Sequence, residues 1–168
     1  MKRGFTLVEF IVYTALTSIV LVLALNFITD AFFARVKSEA VLVTGSNARF
    51  GMERMIQDIR EAKAVNVGSS VFGTNPGVLS LQMPDGAKDP TVFDVSSGQL
   101  RVASGGSGPF ALTSSTVTVS NLVFTNLSST PKTKDIKIQV TVETGQSVER
   151  PEFKATATLE SSATLRGK

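Results

Sequence analysis

Chemistry needs side chains that hold protons, metals or nucleophiles, and two of the commonest are missing here: among 168 residues there is no cysteine and no histidine. Disulfide frameworks, thiolate metal sites and thiol catalysis go with the first, and the commonest general base and metal ligand with the second. Asp85, Asp89 and Asp94 could offer oxygens to calcium, but their spacing matches no EF-hand loop, and turn chemistry explains Pro84-Asp85-Gly86 without an ion. Ser104-Gly105-Gly106-Ser107-Gly108 lacks the Gly-Lys-Ser/Thr that completes a phosphate loop, and Ser104–Pro109 reads as a flexible loop. Lys132, Lys134 and Lys137 form a small basic cluster, suited to touching DNA or to guarding a strand edge. Asn126-Leu127-Ser128 matches a glycosylation sequon, a pattern too common to weigh. No set of residues resembles an active site, so the chain reads as a non-enzyme without catalytic residues, metal or cofactor.

The charged residue in the least ordinary setting is Glu9. It lies within Phe5–Leu25, 21 residues interrupted only by Thr6, Glu9, Tyr13, Thr14, Thr17 and Ser18. A helix of about 20 apolar residues crosses a hydrocarbon core of about 30 Å. Threonine and serine hydroxyls can bond back to the helix backbone, so they are cheap there. A carboxylate is not: at the centre of a spanning helix it costs about 2.5–3.5 kcal/mol. Glu9 stands nearer the end, close to the positive pole of the helix dipole. Either it snorkels to the interface of a plain anchor or it awaits a positive partner. A secretory signal fits poorly, since the apolar run exceeds about 7–15 residues and no A-x-A-like site closes it.

Gly4-Phe5-Thr6-Leu7-Val8-Glu9, preceded by Lys2-Arg3 and followed by the apolar run, resembles the processing signal of type IV prepilins and type II secretion pseudopilins. In that family a membrane aspartyl peptidase cuts after the glycine and methylates the new N-terminus. The resemblance implies a leader at 1–4, cleavage between Gly4 and Phe5, and an N-methylated Phe5. Glu9 becomes the fifth mature residue, where the family uses glutamate to neutralise the N-terminal ammonium of a neighbouring subunit. Two such charges are costly alone in a low-dielectric bundle and tolerable as a pair, and glycine before the cut leaves the backbone open to the peptidase. The implied partners are the prepilin peptidase and methyltransferase, other pilin or pseudopilin subunits, an inner-membrane assembly platform and membrane lipid before assembly. DNA joins them only if the filament serves uptake. The implied location is the cytoplasmic membrane, single-pass with an exported C-terminal head, then a filament in the periplasm or at the cell surface. Lys2 and Arg3 on one side nearly balance Arg35 and Lys37 on the other, so orientation comes from the resemblance and not from charge.

These residues need a long element to position them. No proline occurs before Pro76, and Met52, Met55, Ile56 and Ile59 fall at i, i+3, i+4 and i+7, an amphipathic stripe. Arg49–Glu53 and Arg54–Asp58 add i, i+4 pairs on the other face. A helix over 5–64, with a membrane segment at about 5–28, would reach roughly 90 Å at 1.5 Å per residue. Gly45-Ser46-Asn47 could bend or break it. Its first half would protrude and its second half would lay the stripe on a sheet.

From 65 to 168 the chain is rich in Ser, Thr, Val and Gly, and its period turns toward two. Expected strands are Val78–Met83, Thr91–Val95, Gln99–Ala103, part of Thr116–Thr125, Ile136–Val142 and Phe153–Leu159, with a hairpin turn at Ser96-Ser97-Gly98. A long helix followed by a mostly antiparallel sheet is an α+β fold, and the resemblance implies that it is pilin-like. Arg49–Ala62 and Thr164-Leu165-Arg166 also look like the pseudopilin-J-like minor subunits. Many major pilins carry a proline in the membrane helix, where this chain has Asn26, and a C-terminal cysteine pair that is absent here; both departures favour a minor subunit. Hydrophobic residues make up 42%, and 17 basic face 14 acidic residues, or 15 once Lys2 and Arg3 are removed. So small an excess is no argument for nucleic acid. The competing function is a membrane-tethered adhesin or binding module that does not polymerise.

Overall fold

The structure, a computed structural model, describes residues 6–128, 134–144 and 154–166. One α-helix, α1, runs from Leu7 to Glu61, 55 residues without interruption, or about 80 Å at 1.5 Å per residue. It starts two residues later than the sequence implies, because Thr6 is extended and caps it, and ends when the Ala62 N–H bonds back to the carbonyls of Asp58 and Ile59. From Leu7 to Phe32 its large apolar side chains are exposed. Burial begins at Thr44 and continues through Ala48, Gly51, Met52, Met55, Asp58 and Ile59. The expected stripe is therefore real, and small residues extend it toward the N-terminus by two turns.

The break anticipated at Gly45-Ser46-Asn47 does not occur. Ser46 Oγ and Asn47 Nδ2 both donate to the Val43 carbonyl, at 3.0 and 2.8 Å, and Asn47 Oδ1 accepts the Ser114 N–H at 2.9 Å. Asn47 thus rivets the helix to the head where a weaker helix would fray. A Cβ on Gly45 would meet nothing within 4 Å, whereas one on Gly51 would lie 2.6 Å from Leu100 Cδ2. Gly45→Ala should therefore stabilise the fold by about 0.5–1 kcal/mol through lost unfolded-state freedom. Gly51→Leu should destabilise it by about 1–3 kcal/mol through overpacking. Urea midpoints of the two variants check this; equal midpoints would mean that α1 does not approach Leu100 this closely.

Eight strands follow: β1 (Ala64–Val65), β2 (Leu79–Gln82), β3 (Thr91–Ser96), β4 (Gln99–Ser104), β5 (Ser107–Ala111), β6 (Val117–Asn126), β7 (Asp135–Thr144) and β8 (Thr156–Thr164). They form two antiparallel sheets, β1-β2-β3-β4-β5 and β6-β7-β8. The α+β expectation holds. α1 lies against β8, β7 and β6, and the core joins Met55 and Ile59 to Phe93, Leu100, Leu122, Phe124 and the inward residues of β7. Those are Ile136, Ile138, Val140 and Val142, the clearest alternation in the sequence, and all are buried. Ser97 and Gly98 take φ of 52° and 74° in the two-residue turn between β3 and β4, the left-handed pair that such hairpins require.

Two expectations are corrected. Ser104–Pro109 is not a flexible loop: Gly105 and Gly106, at φ 56° and 79°, turn the chain so that Ser104 pairs with Ser107 and β5 begins there. Pro109 fits because β5 is an edge strand and its missing N–H is not needed. The last strand runs Thr156–Thr164 and so extends beyond Leu159, its inward positions including Ala163; Phe153 lies outside the described residues.

Candidate functional site

The first turn of α1 is the region on which the sequence concentrates its chemistry. Lys2, Arg3, Gly4 and Phe5 lie outside the described residues. Thr6 Oγ1 accepts the Glu9 N–H at 3.3 Å, and the Thr6 carbonyl accepts the Phe10 N–H at 3.1 Å. A helix leaves its first N–H groups without internal partners, and a threonine cap of this kind is worth about 0.5–2 kcal/mol. Thr6-Leu7-Val8-Glu9 is also the sequence of a capping box, in which the glutamate three residues on can reach back to the cap. Sequence reasoning weighed Glu9 only as a charge and missed this, although the spacing was there to be read. The Glu9 side chain is exposed and takes part in none of the ion pairs among the described residues.

Beyond Glu9 the helix carries no charge from Phe10 to Thr29, twenty residues, before Asp30. None of this apolar segment is buried, and it is long enough to cross a membrane. Its polar residues are neutralised locally. Thr14 Oγ1 donates to the carbonyls of Phe10 and Ile11 at 3.0 Å, Ser18 Oγ to Thr14 at 2.7 Å, Thr29 Oγ1 to Asn26 at 2.8 Å, and Thr17 Oγ1 to Tyr13. With the hydroxyls turned inward, the surface offers methyl and methylene groups. Thr14, Thr17, Ser18, Val20, Leu21 and Ala24 line a shallow depression of about 410 Å³ on it.

At the other end of α1, Glu53, Ile56, Gln57, Arg60, Glu61 and Arg166 line an open groove of about 480 Å³. The Arg166 N–H donates to the Arg60 carbonyl at 3.4 Å, and Leu165 beside it is buried. One of the two helical charge pairs does not face away from the sheet. Asp58 is 4% exposed, and its Oδ2 accepts from Arg54 Nε at 3.0 Å. Asp58 sits between Met55 and Ile59 on the helix surface, so the buried stripe carries it inward. Burial pushes its carboxyl above the ordinary range, and the Arg54 guanidinium pulls it partly back. Arg49 and Glu53 form no ion pair among the described residues.

The remaining candidates have separate local roles. Asp85 Oδ1 accepts the Ala87 N–H at 2.9 Å and caps the turn Gly86–Lys88, Asp89 Oδ1 accepts the Met83 N–H at 2.9 Å, and Asp94 binds Arg101 through both carboxylate oxygens at 2.9 and 2.6 Å. Among the described residues no three carboxylates converge as a metal site would need. Lys137 pairs with Glu160 at 2.9 Å across β7 and β8, and Lys132 lies outside the described residues. Asn126 Oδ1 accepts the Ser128 N–H at 2.9 Å, and Ser128 Oγ accepts from Lys134 and Asp135 at 2.7 and 3.0 Å, so the sequon residues build a turn. A comparison with protein-family models, curated proteins and solved structures finds no match for this chain.

Proposed function

We propose that this chain is a structural filament subunit of the type IV pilin-like class, a minor pilin or pseudopilin. In this reading it enters the membrane as a prepilin, is cut after Gly4, is methylated on Phe5 and assembles through α1. The observation that carries the reading is the division of α1. One unbroken helix is apolar and wholly exposed in its first half, yet buries a stripe against a β head in its second. An exposed apolar surface of that size needs lipid or other helices to cover it, and a filament uses each in turn. Its single carboxylate, Glu9, stands at the capped start of that surface, five positions beyond Gly4.

A tethered adhesin would use the same helix only as an anchor, and fractionation separates the two. In its own host, the chain should appear both in the membrane and in the sheared or detergent-extracted filament fraction with other subunits. Recovery from the membrane alone, as a monomer, under conditions where the filament forms, would contradict the proposal.

A further inference from the structure

β8 has an unfilled edge, and its register shows which groups lie there. Thr144 N–H donates to the Ala155 carbonyl, Ala155 N–H to Thr144 Oγ1, and Leu165 N–H to the Lys134 carbonyl, at 2.9, 2.8 and 2.8 Å. The pairing of β7 with β8 between these points has no shift. Residues 155, 157, 159, 161, 163 and 165 therefore turn their backbone groups toward β7, because bonded and non-bonded pairs alternate in an antiparallel ladder. Thr156, Thr158, Glu160, Ser162 and Thr164 turn theirs outward. Arg166, next in that series, already uses its outward N–H on the Arg60 carbonyl. Among the described residues nothing bonds to the outward backbone groups of the other five.

The other sheet edges are closed. The outer side of β6 is occupied by Gly73, Gly77, the Asn75 side chain and Gly98. β1 has two residues, and β5 has five with Gly108-Pro109 inside it. Proteins usually protect a long edge with lysine, proline or a bulge; β8, Thr-Ala-Thr-Leu-Glu-Ser-Ser-Ala-Thr, has none of these, and its one charge is paired with Lys137. On the helix side, Ala157, Leu159 and Ser161 are only half-buried.

We infer that the β8 edge accepts an extended strand from a different protein, exported to the same side of the membrane, with small or apolar side chains at alternate positions to cover Ala157 and Leu159. A second copy does not fit. Lys37 Nζ donates to the Lys154 carbonyl at one end and Arg166 meets Arg60 at the other, so β8 runs alongside α1 in the same direction. Antiparallel pairing of two β8 strands would set their α1 helices head to tail, and both could not enter one membrane the same way. That exclusion rests on the anchored reading proposed above.

The test is residue-resolved hydrogen exchange on the full chain, in membranes of its own cells and after purification in detergent. Strand addition has an alternating signature: Thr158, Glu160 and Ser162 amides should slow by about a hundredfold or more in the membranes, whereas Leu159 and Ser161 should be slow in both. Ser162→Pro removes one outward N–H and leaves the β7 ladder intact, so Thr158 and Glu160 should return to their detergent rates, while Ser162→Thr should behave as wild type. Slow Leu159 and Ser161 amides in each variant report that it is folded, and the wild-type comparison stands without them. Outward amides that exchange equally fast in membranes and detergent would overturn the proposal. Concentration-dependent protection of the purified chain would overturn the choice of a foreign strand in favour of a second copy. Recovery of the chain outside the membrane fraction would overturn the anchored reading, and with it the argument against self-pairing.

Discussion

Glu9→Gln chains are expected to be cut, to stay in the membrane and to lose co-purification with the other filament subunits. The reasoning turns on what glutamine keeps. At the third position of α1, glutamine can still complete a capping box with Thr6, and a neutral side chain enters lipid more cheaply than a carboxylate. If Glu9 were only a cap or a snorkelling acid, Glu9→Gln should be neutral and Glu9→Ala should cost no more than a cap, about 0.5–2 kcal/mol. If Glu9 meets the ammonium of a neighbouring Phe5, both substitutions leave a buried cation alone. Breaking such a pair costs about 3–5 kcal/mol, a loss of two or more orders of magnitude in that contact. Co-purification at equal protein abundance is the readout. Glutamine behaving as wild type while alanine is weakened would assign Glu9 to the cap.

What could be read in advance follows the strength of the local signal. Ile136, Ile138, Val140 and Val142 alternate with polar residues over a whole strand, so β7 was legible to within two residues. Met52, Met55, Ile56 and Ile59 marked the buried face of α1, but Thr44, Ala48 and Gly51 extend it without any hydrophobic signal of their own. Small residues let the helix approach the sheet, and closeness leaves no trace in a periodicity. Gly45-Ser46-Asn47 looked like a break because the Ser114 N–H that engages Asn47 lies 67 residues away. β5 was hidden for a similar reason: Gly-Pro in a strand is tolerable only at an edge, and edges are set by the order of strands in the sheet. The open side of β8 is likewise a property of topology. At the N-terminus, Thr6 and Glu9 showed their spacing plainly, and the capping role went unread because the charge drew the attention.

Cleavage after Gly4 carries the larger consequence, since an uncut leader would hold Lys2 and Arg3 at the head of the apolar helix. Gly4→Leu should leave a full-length precursor in the membrane, with essentially none of the shorter chain. The peptidase must bring its carboxylates against the bond after Gly4, and a branched side chain there obstructs an approach that glycine leaves free. The loss is expected to be all or none at the level of a gel, and filament entry should fall with it, because no free ammonium on Phe5 would remain for Glu9 to neutralise. Glu9→Gln, by contrast, should be cut normally, so the two variants separate processing from assembly. Normal cleavage of Gly4→Leu would mean that the six residues from Gly4 to Glu9 resemble a processing signal without serving as one. The most direct measurement is the N-terminal mass spectrum of the wild-type chain extracted from its own membranes. The predicted result is a chain that begins at Phe5 and is one methyl group heavier than the bare sequence; an intact Met1, or a cut beyond Leu25, would contradict it.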